Sequence, residues 1–373
     1  MRPSRAGDHT TLCVSVVQWG MRAAVLEAYG EPLRIESRPR PEPEPHGVVV
    51  DVEACGVCRS DWHSWQGHGE WADDQVPIGQ VLGHEPAGVV AEVGARVERF
   101  QAGDRVAIPF NLGDGSCPQC VNGHGNVCED GDALGFEADA PGAFAEAVHV
   151  PHADYNAVSL PEGVAFEEMA ALGCRYVTAF HALAHRVDVN AGDWVAVHGC
   201  GGLGLAAAQV ASALGAGVVA VDVREDPLAF ARDVGATETV DARGVDDVPA
   251  VVEALTDGGA HVSIDALGRA ETCRNSVECL RARGDHVQLG LTTDAERGEI
   301  SLPVDEMTRW DRTFHGSRGM PPTRYDELLR MLDADRLDPG ALVSKRVALE
   351  GVSERLAAMT TYDTSGVEVV TEF

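Results

Sequence analysis

The stretch Ala54–His63, ACGVCRSDWH, gathers two cysteines in Cys-x-x-Cys spacing, then a serine, an aspartate and a histidine. Three chemistries fit those residue types: half of a structural zinc clip, a redox dithiol, or one metal ligand followed by a proton path. A second concentration, NLGDGSCPQCVNGHGNVC, puts three more cysteines and a histidine into one short loop. The chain has ten cysteines, and this crowding, without a secretory leader, favours metal binding over disulfides and a cytoplasmic location. A third pattern, Gly199-Cys200-Gly201-Gly202-Leu203-Gly204, fits G-x-G-x-x-G. Gly199 permits a tight turn, Gly201 lets a pyrophosphate approach the backbone, and Gly204 lets the following helix pack on its strand. Gly202 and Leu203 open that helix, whose N–H groups and dipole attract phosphate. Asp222, eighteen residues after Gly204, is placed to accept the adenosine ribose hydroxyls, which favours NAD. Arg224 beside it could tolerate a 2′-phosphate, so NADP stays open.

These residues need elements to hold them. From Met21 to about Val150 short β-like runs (VVVDVEACG, GVVAEVGARV, DRVAIPF, AFAEAVHV) alternate with Gly, Pro and Asp, as in a compact β-rich domain. From Trp194 the rhythm changes. The runs WVAVH, VVAVDV, TETVDA, HVSIDALG and DHVQLGL alternate with helical segments, including ETCRNSVECLRARG. That alternation predicts parallel βαβ units and a doubly wound sheet. The chain ends in VEVVTEF, a candidate strand. Residues 1–20 precede the periodic pattern and read as a disordered extension.

The chain has 373 residues, 45% of them hydrophobic, enough for two or three domains. Its apolar runs are too short for a membrane span. The net charge of −30 argues against nucleic acid. Among the 29 basic residues only Lys345 is a lysine. Either a GC-rich genome or a halophile accounts for this. The acidic residues are spread along the whole chain, which favours the halophile.

Gly83-His84-Glu85 followed by Gly88, Gly94 and Val97 spells G-H-E-x-x-G-x-x-x-x-x-G-x-x-V. With ACGVCRSDWH and the downstream nucleotide pattern, the chain from Met21 onward resembles the zinc-dependent alcohol dehydrogenases of the medium-chain dehydrogenase/reductase family. The resemblance implies a mixed α/β protein: a β-rich GroES-like catalytic domain over 21–172, with a return segment 314–373, and a Rossmann domain over 173–313. It implies a catalytic zinc held by Cys58, His84 and Cys174, with Cys55 a packed neighbour. Asp61 would orient His84, and Glu85 would lie behind the metal. Relatives pair that carboxylate region with an arginine near the C-terminus, and SGVEVVTEF offers none. Ser60 would pass the alcohol proton through the cofactor ribose to His63, near solvent and titrating close to neutrality. The family's four-cysteine lobe, laid on this sequence, gives Asp114, Cys117, Cys120 and Cys128 as a structural zinc site, with His124 a spare. Cys13, Cys200, Cys273 and Cys279 read as ordinary thiols.

The implied reaction is reversible oxidation of an alcohol by NAD or NADP, in a homo-oligomer assembled through the nucleotide domain. Trp62, Trp65, Trp71 and Phe110 could line an apolar alcohol pocket or simply be core. A polyol, sugar or amino-alcohol dehydrogenase of the same family, or a zinc-free quinone or enone reductase, are the competing readings.

Overall fold

The computed structural model of the chain describes residues 20–69 and 75–373. Apart from Gly20, the expected extension over 1–20 lies outside the described residues, as does Trp71. An antiparallel pair, β1 (Gly20–Val25) and β2 (Arg34–Pro39), comes first. The first large sheet contains β3 (Val48–Val57), β4 (Glu85–Val93) and β5 (Arg105–Ala107). A two-stranded ribbon, β6 (Asn111–Leu112) with β7 (Asp132–Ala133), brackets the cysteine lobe. The large sheet is completed by β8 (Ala147–Val150) and β9 (Val158–Ser159), and by β16 (Val343–Ala348) and β17 (Val367–Glu372) from the end of the chain. Its order is β16-β17-β3-β4-β5-β9, with β8 also paired to β3. The final strand predicted from VEVVTEF thus lies beside β3, whose end carries Cys58.

The second sheet is β10 (Trp194–His198), β11 (Gly217–Asp222), β12 (Glu238–Asp241), β13 (Ala260–Asp265), β14 (Leu280–Gln288) and β15 (Thr313–Gly316). All its pairings are parallel, in the order β12-β11-β10-β13-β14-β15. The runs VAV in β10 and VVAV in β11 are buried, as expected of strands covered on both faces. Strand order reverses between β10 and β13. In such sheets ligands bind outside the carboxyl ends of the strands at that point.

Two details differ from the sequence expectation. The helix expected through ETCRNSVECLRARG stops at Glu278, and β14 begins at Leu280. The sheet claims LRARG through a bulge: Leu280 pairs with Ala260, but Asp285 pairs with Val262. Arg283 inside it takes a positive φ of 62°. Helical backbone also runs almost unbroken from Phe166 to Arg186, across the expected boundary at 172/173, and β15 straddles the one at 313/314. Among the described residues no helix is long and apolar enough to cross a membrane.

Candidate active site

Three separate segments deliver the expected metal ligands. Cys58 is the N-cap of the short helix Arg59–Trp65, directly after β3. His84 immediately precedes β4. Cys174 sits on a widened helical turn, Leu172–Tyr176, a distortion common at functional sites. The backbone kinks at Gly173, where a β-carbon would stand 2.5 Å from the Cβ of Glu85. Only glycine lets Cys174 come that close to β4. The donor atoms of Cys58, His84, Glu85 and Cys174 all lie within 4.8 Å of one another. Cys55 points into the apolar core instead, as expected.

Asp61 ties Cys58 and His84 together. Its Oδ1 accepts from His84 Nδ1 at 2.7 Å and from the Gly83 N–H at 3.1 Å, and its Oδ2 accepts from the Cys58 N–H at 2.9 Å. A carboxylate only accepts, so Nδ1 carries the ring proton. His84 Nε2 is then left buried with no hydrogen-bond partner, facing the thiols. Burial alone would depress the His84 pKa, but Asp61 and the Cys58 sulfur outweigh it and raise it well above the ordinary value. The Cys174 hydrogen bond holds the Cys58 thiol well below its usual range, against the pull of burial, with Arg175 and His84 adding to the drop. The cage therefore favours a positive charge at Nε2. An orphan imidazole nitrogen beside two thiols is the donor set of a zinc site that leaves one position open.

We expect Asp61→Asn to weaken zinc binding about 10- to 100-fold, read by competition with a chelator. Asparagine offers one acceptor oxygen to three donors now shared between two. Unchanged affinity would show that Asp61 does not orient His84.

Glu85 is fully buried and is pushed up to about 7 by burial, which Arg175 only partly offsets. Arg175 is the arginine partner that the C-terminus lacked. Its Nε and Nη2 donate to the two carboxylate oxygens, and its backbone N–H donates to Oε1 at 3.2 Å. It stands directly after Cys174, and that adjacency was the one signal the sequence offered.

The metal cluster opens onto a cleft of about 1020 Å³ between the two sheets, lined by Cys58, Ser60, Cys174, Gly201, Gly202 and Asp222 among others. Gly199 takes φ +93°, and a β-carbon on Gly204 would meet Gly199 O at 1.8 Å, so the turn and the helix start both require glycine. Around Gly201 nothing lies within 4 Å of where a side chain would begin. The helix Gly202–Ala213 has no side-chain cap, leaving its first N–H groups for an anion. Asp222 sits at the tip of β11 and accepts from Cys200 N at 2.8 Å, fixing the glycine loop. The Arg224 guanidinium is engaged by the carbonyls of Tyr362 and Thr364.

Ser60 and His63 stand on the same short helix and line the cleft. Ser60 Oγ is 3.9 Å from Cys58 Sγ. His63 is not at the solvent edge, contrary to expectation: it is 9% exposed, and burial, with Arg59 and His68 adding, depresses its pKa to about 3. Its Nδ1 lies 3.1 Å from Nδ1 of His68, whose Nε2 is 3.2 Å from the exposed carboxylate of Asp294. His68 and Asp294 were not legible in the sequence, because 226 positions separate them.

The Alcohol dehydrogenase GroES-like domain family matches residues 44–162, and the Zinc-binding dehydrogenase family matches residues 202–334. An alcohol dehydrogenase of Moraxella sp. (strain TAE123) is 36% identical over 90% of this chain and 96% of its own length. A protein named NAD-dependent alcohol dehydrogenase, from Sulfurisphaera tokodaii, is 31% identical over 94% of this chain and 99% of its own length. The solved structure of an alcohol dehydrogenase from Thermus sp. ATN1 superposes with a TM-score of 0.85 at 29% identity, covering 95% of this chain and all of that one. The chain belongs to the zinc-type medium-chain alcohol dehydrogenases.

In this dehydrogenase the cysteine lobe also converges. Donor atoms of Asp114, Cys117, Cys120 and Cys128 lie within 4.8 Å of one another, with Cys117 Sγ 3.6 Å from Cys128 Sγ. Asp114 Oδ1 accepts from the N–H groups of Ser116 and Cys117 and from the Cys128 thiol at 3.3 Å. His124 is outside this set. Trp62 and Trp65 belong to the core. Trp62 Nε1 donates to Thr360 Oγ1 and Trp65 Nε1 to Glu31 O, and both rings belong to the buried apolar cluster. The apolar walls next to the donor cluster are Phe110 and Phe136, whose rings lie 5.6 and 4.7 Å from that of His84. Arg59 was missed as a wall residue. Its guanidinium stacks on Trp62 at 3.6 Å and on Tyr362 at 4.5 Å.

Proposed function

We propose that the protein oxidises a small alcohol to the aldehyde or ketone, reversibly, with NAD as the preferred cofactor and zinc held by Cys58, His84 and Cys174. The observation that carries this reading is the unpartnered Nε2 of His84, set between two thiols at the mouth of a glycine-lined dinucleotide cleft. Zinc at these ligands supplies a Lewis acid that polarises the alcohol oxygen and lowers its pKa. The nicotinamide supplies the hydride acceptor.

The chain's own residues bind, orient and move the proton. Asp61 fixes the His84 tautomer, and Glu85 with Arg175 closes the side behind the ligands. Ser60 Oγ would accept the alcohol proton while giving its own hydroxyl proton to a hydroxyl of the bound cofactor, so the serine stays neutral throughout. His63, whose pKa burial holds down to about 3, would not store that proton but pass it on, accepting at one ring nitrogen as Nδ1 releases a proton to His68 and so toward Asp294 and solvent. No hydrogen bond joins Ser60 to His63 directly, so a hydroxyl supplied by the occupant of the cleft must bridge them. Phe110 and Phe136 suit an apolar alcohol chain and shed water from the reacting carbon.

Asp222 at the ribose position and the occupied Arg224 both support NAD over NADP. A second zinc at Asp114, Cys117, Cys120 and Cys128 would brace a lobe that has little core of its own. Val304, Trp310 and Phe314 are exposed near the free edge of the nucleotide sheet at β15, which suits a homo-oligomer built through that sheet.

The test is a dehydrogenase assay on primary, secondary and polyhydric alcohols with each cofactor, with and without chelator. We expect chelator-sensitive NADH formation, fastest with apolar alcohols. Turnover confined to NADP or indifferent to chelator would refute the reading. The net charge of −30 supports adaptation to strong salt. Activity should then rise from low to molar salt, and a steady fall over that range would remove that part.

A further inference from the structure

We propose that Arg224 is a positioning residue that latches a strap, residues 361–366, across the dinucleotide cleft and so sets how fast the cofactor enters and leaves. The proposal rests on the reading of the cleft as a dinucleotide site. The strap joins the helix Val352–Thr360 to β17, so it belongs to the first large sheet's half of the molecule. Its residues Thr361, Tyr362, Thr364 and Gly366 line the cleft. Arg224 stands two residues past the end of β11, in the half built on the parallel sheet, and lines the cleft as well. Its Nη1 donates to Tyr362 O and its Nη2 to Thr364 O at 3.4 Å.

Both ends of the latch are held. Asp222 Oδ1 accepts from the N–H groups of Val223 at 2.7 Å and Arg224 at 3.0 Å, so the carboxylate at the ribose position also aims the arginine. On the strap, the Tyr362 N–H donates to Met359 O at 3.1 Å, which keeps this residue at a positive φ of 57°, and its ring carries the Arg59 guanidinium. Two close approaches extend the contact. A β-carbon on Gly366, at φ +63°, would stand 2.8 Å from the Phe230 ring on the helix Glu225–Asp233. A β-carbon on Gly202 would stand 2.8 Å from Gly366 O. The strap thus lies against the glycine loop, the helix after β11 and Arg224 at once.

The Arg224 bonds end on protein carbonyls, and that decides what the residue does. A planar fork of N–H groups reaches two carbonyls together, whereas a lysine offers a single point charge. A bond closed between two halves of a protein slows the opening of the cleft between them. Entry and exit of the cofactor are then slowed alike, and affinity changes little. A bond made to the cofactor itself would slow exit alone and tighten binding, as affinity differences mostly do. Opening steps of this kind set turnover in many enzymes.

The test is stopped-flow fluorescence of NADH binding to the zinc-loaded wild type, R224A and R224K, giving association and dissociation rate constants for each. We expect R224A to raise both rate constants about tenfold, the factor carried by one hydrogen bond to a charged group, while Kd stays within about threefold. R224K should raise both by about threefold, because it keeps the charge but loses the fork. Rates equal to those of the wild type would overturn the latch. Faster dissociation with unchanged association would also overturn it, by assigning Arg224 to the cofactor rather than to the strap. A wild type that binds no NADH would instead overturn the dinucleotide reading beneath it. If R224A does not fold, R224K decides: entry and exit accelerated together support the latch, and unchanged rates refute it.

Discussion

Cys58→Ser should lose its zinc and nearly all of its turnover. The serine oxygen is a poor ligand and stays protonated, whereas the Cys58 thiol is already held well below its ordinary pKa by the Cys174 hydrogen bond and by the charges of Arg175 and His84. Removing that sulfur leaves Nε2 of His84 and the single thiol of Cys174 as the remaining strong donors. Neither alone makes a tetrahedral site. Lewis-acid stabilisation of developing charge is worth several kcal/mol. At 1.36 kcal/mol per factor of ten, kcat/KM should fall by roughly three orders of magnitude or more. Zinc per chain, measured by mass spectrometry beside kcat/KM, checks both halves. A Cys58→Ser protein that keeps wild-type turnover would end the assignment. His84→Ala should behave alike, because His84 Nε2 is held toward the thiols by Asp61 on the far side of the ring.

Ser60→Ala should keep its metal and its cofactor affinity but lose about 10² to 10⁴ in kcat, the usual contribution of a positioned proton acceptor. The side chain is small and half-buried at the start of its helix, so removing the hydroxyl leaves the fold intact. Ser60→Thr should retain most of the rate because it keeps an oxygen at the same point. A slow Ser60→Ala enzyme with unchanged zinc content and NADH affinity would separate proton transfer from binding. Near-normal kcat would mean that the alcohol loses its proton by another path.

Some of this could be read from the chain alone, and the reasons are specific. The strands of the nucleotide domain were legible because their Val- and Ala-rich runs are buried on both faces and punctuated by glycine. The β14 boundary was not, because a bulge recruits the polar segment LRARG, which reads as a helix tail. The metal ligands are individually bland, a cysteine among apolar neighbours or a histidine between glycines. Only their joint order, matched to a family pattern, pointed to one site. Arg175 was not legible because the family pattern points to an arginine near the C-terminus, whereas here a wide helical turn carries the residue after Cys174 back against Glu85. The environment of His63 was misjudged because His68 and the Asp294 loop fold over it, a contact that local sequence cannot express.

The most direct test is anomalous diffraction at the zinc absorption edge from crystals of the active enzyme. The account predicts a peak bonded to Cys58 Sγ and Cys174 Sγ at about 2.3 Å and to His84 Nε2 at about 2.0–2.1 Å. An active crystal with no peak among those three atoms, or with zinc found only in the cysteine lobe, would contradict it.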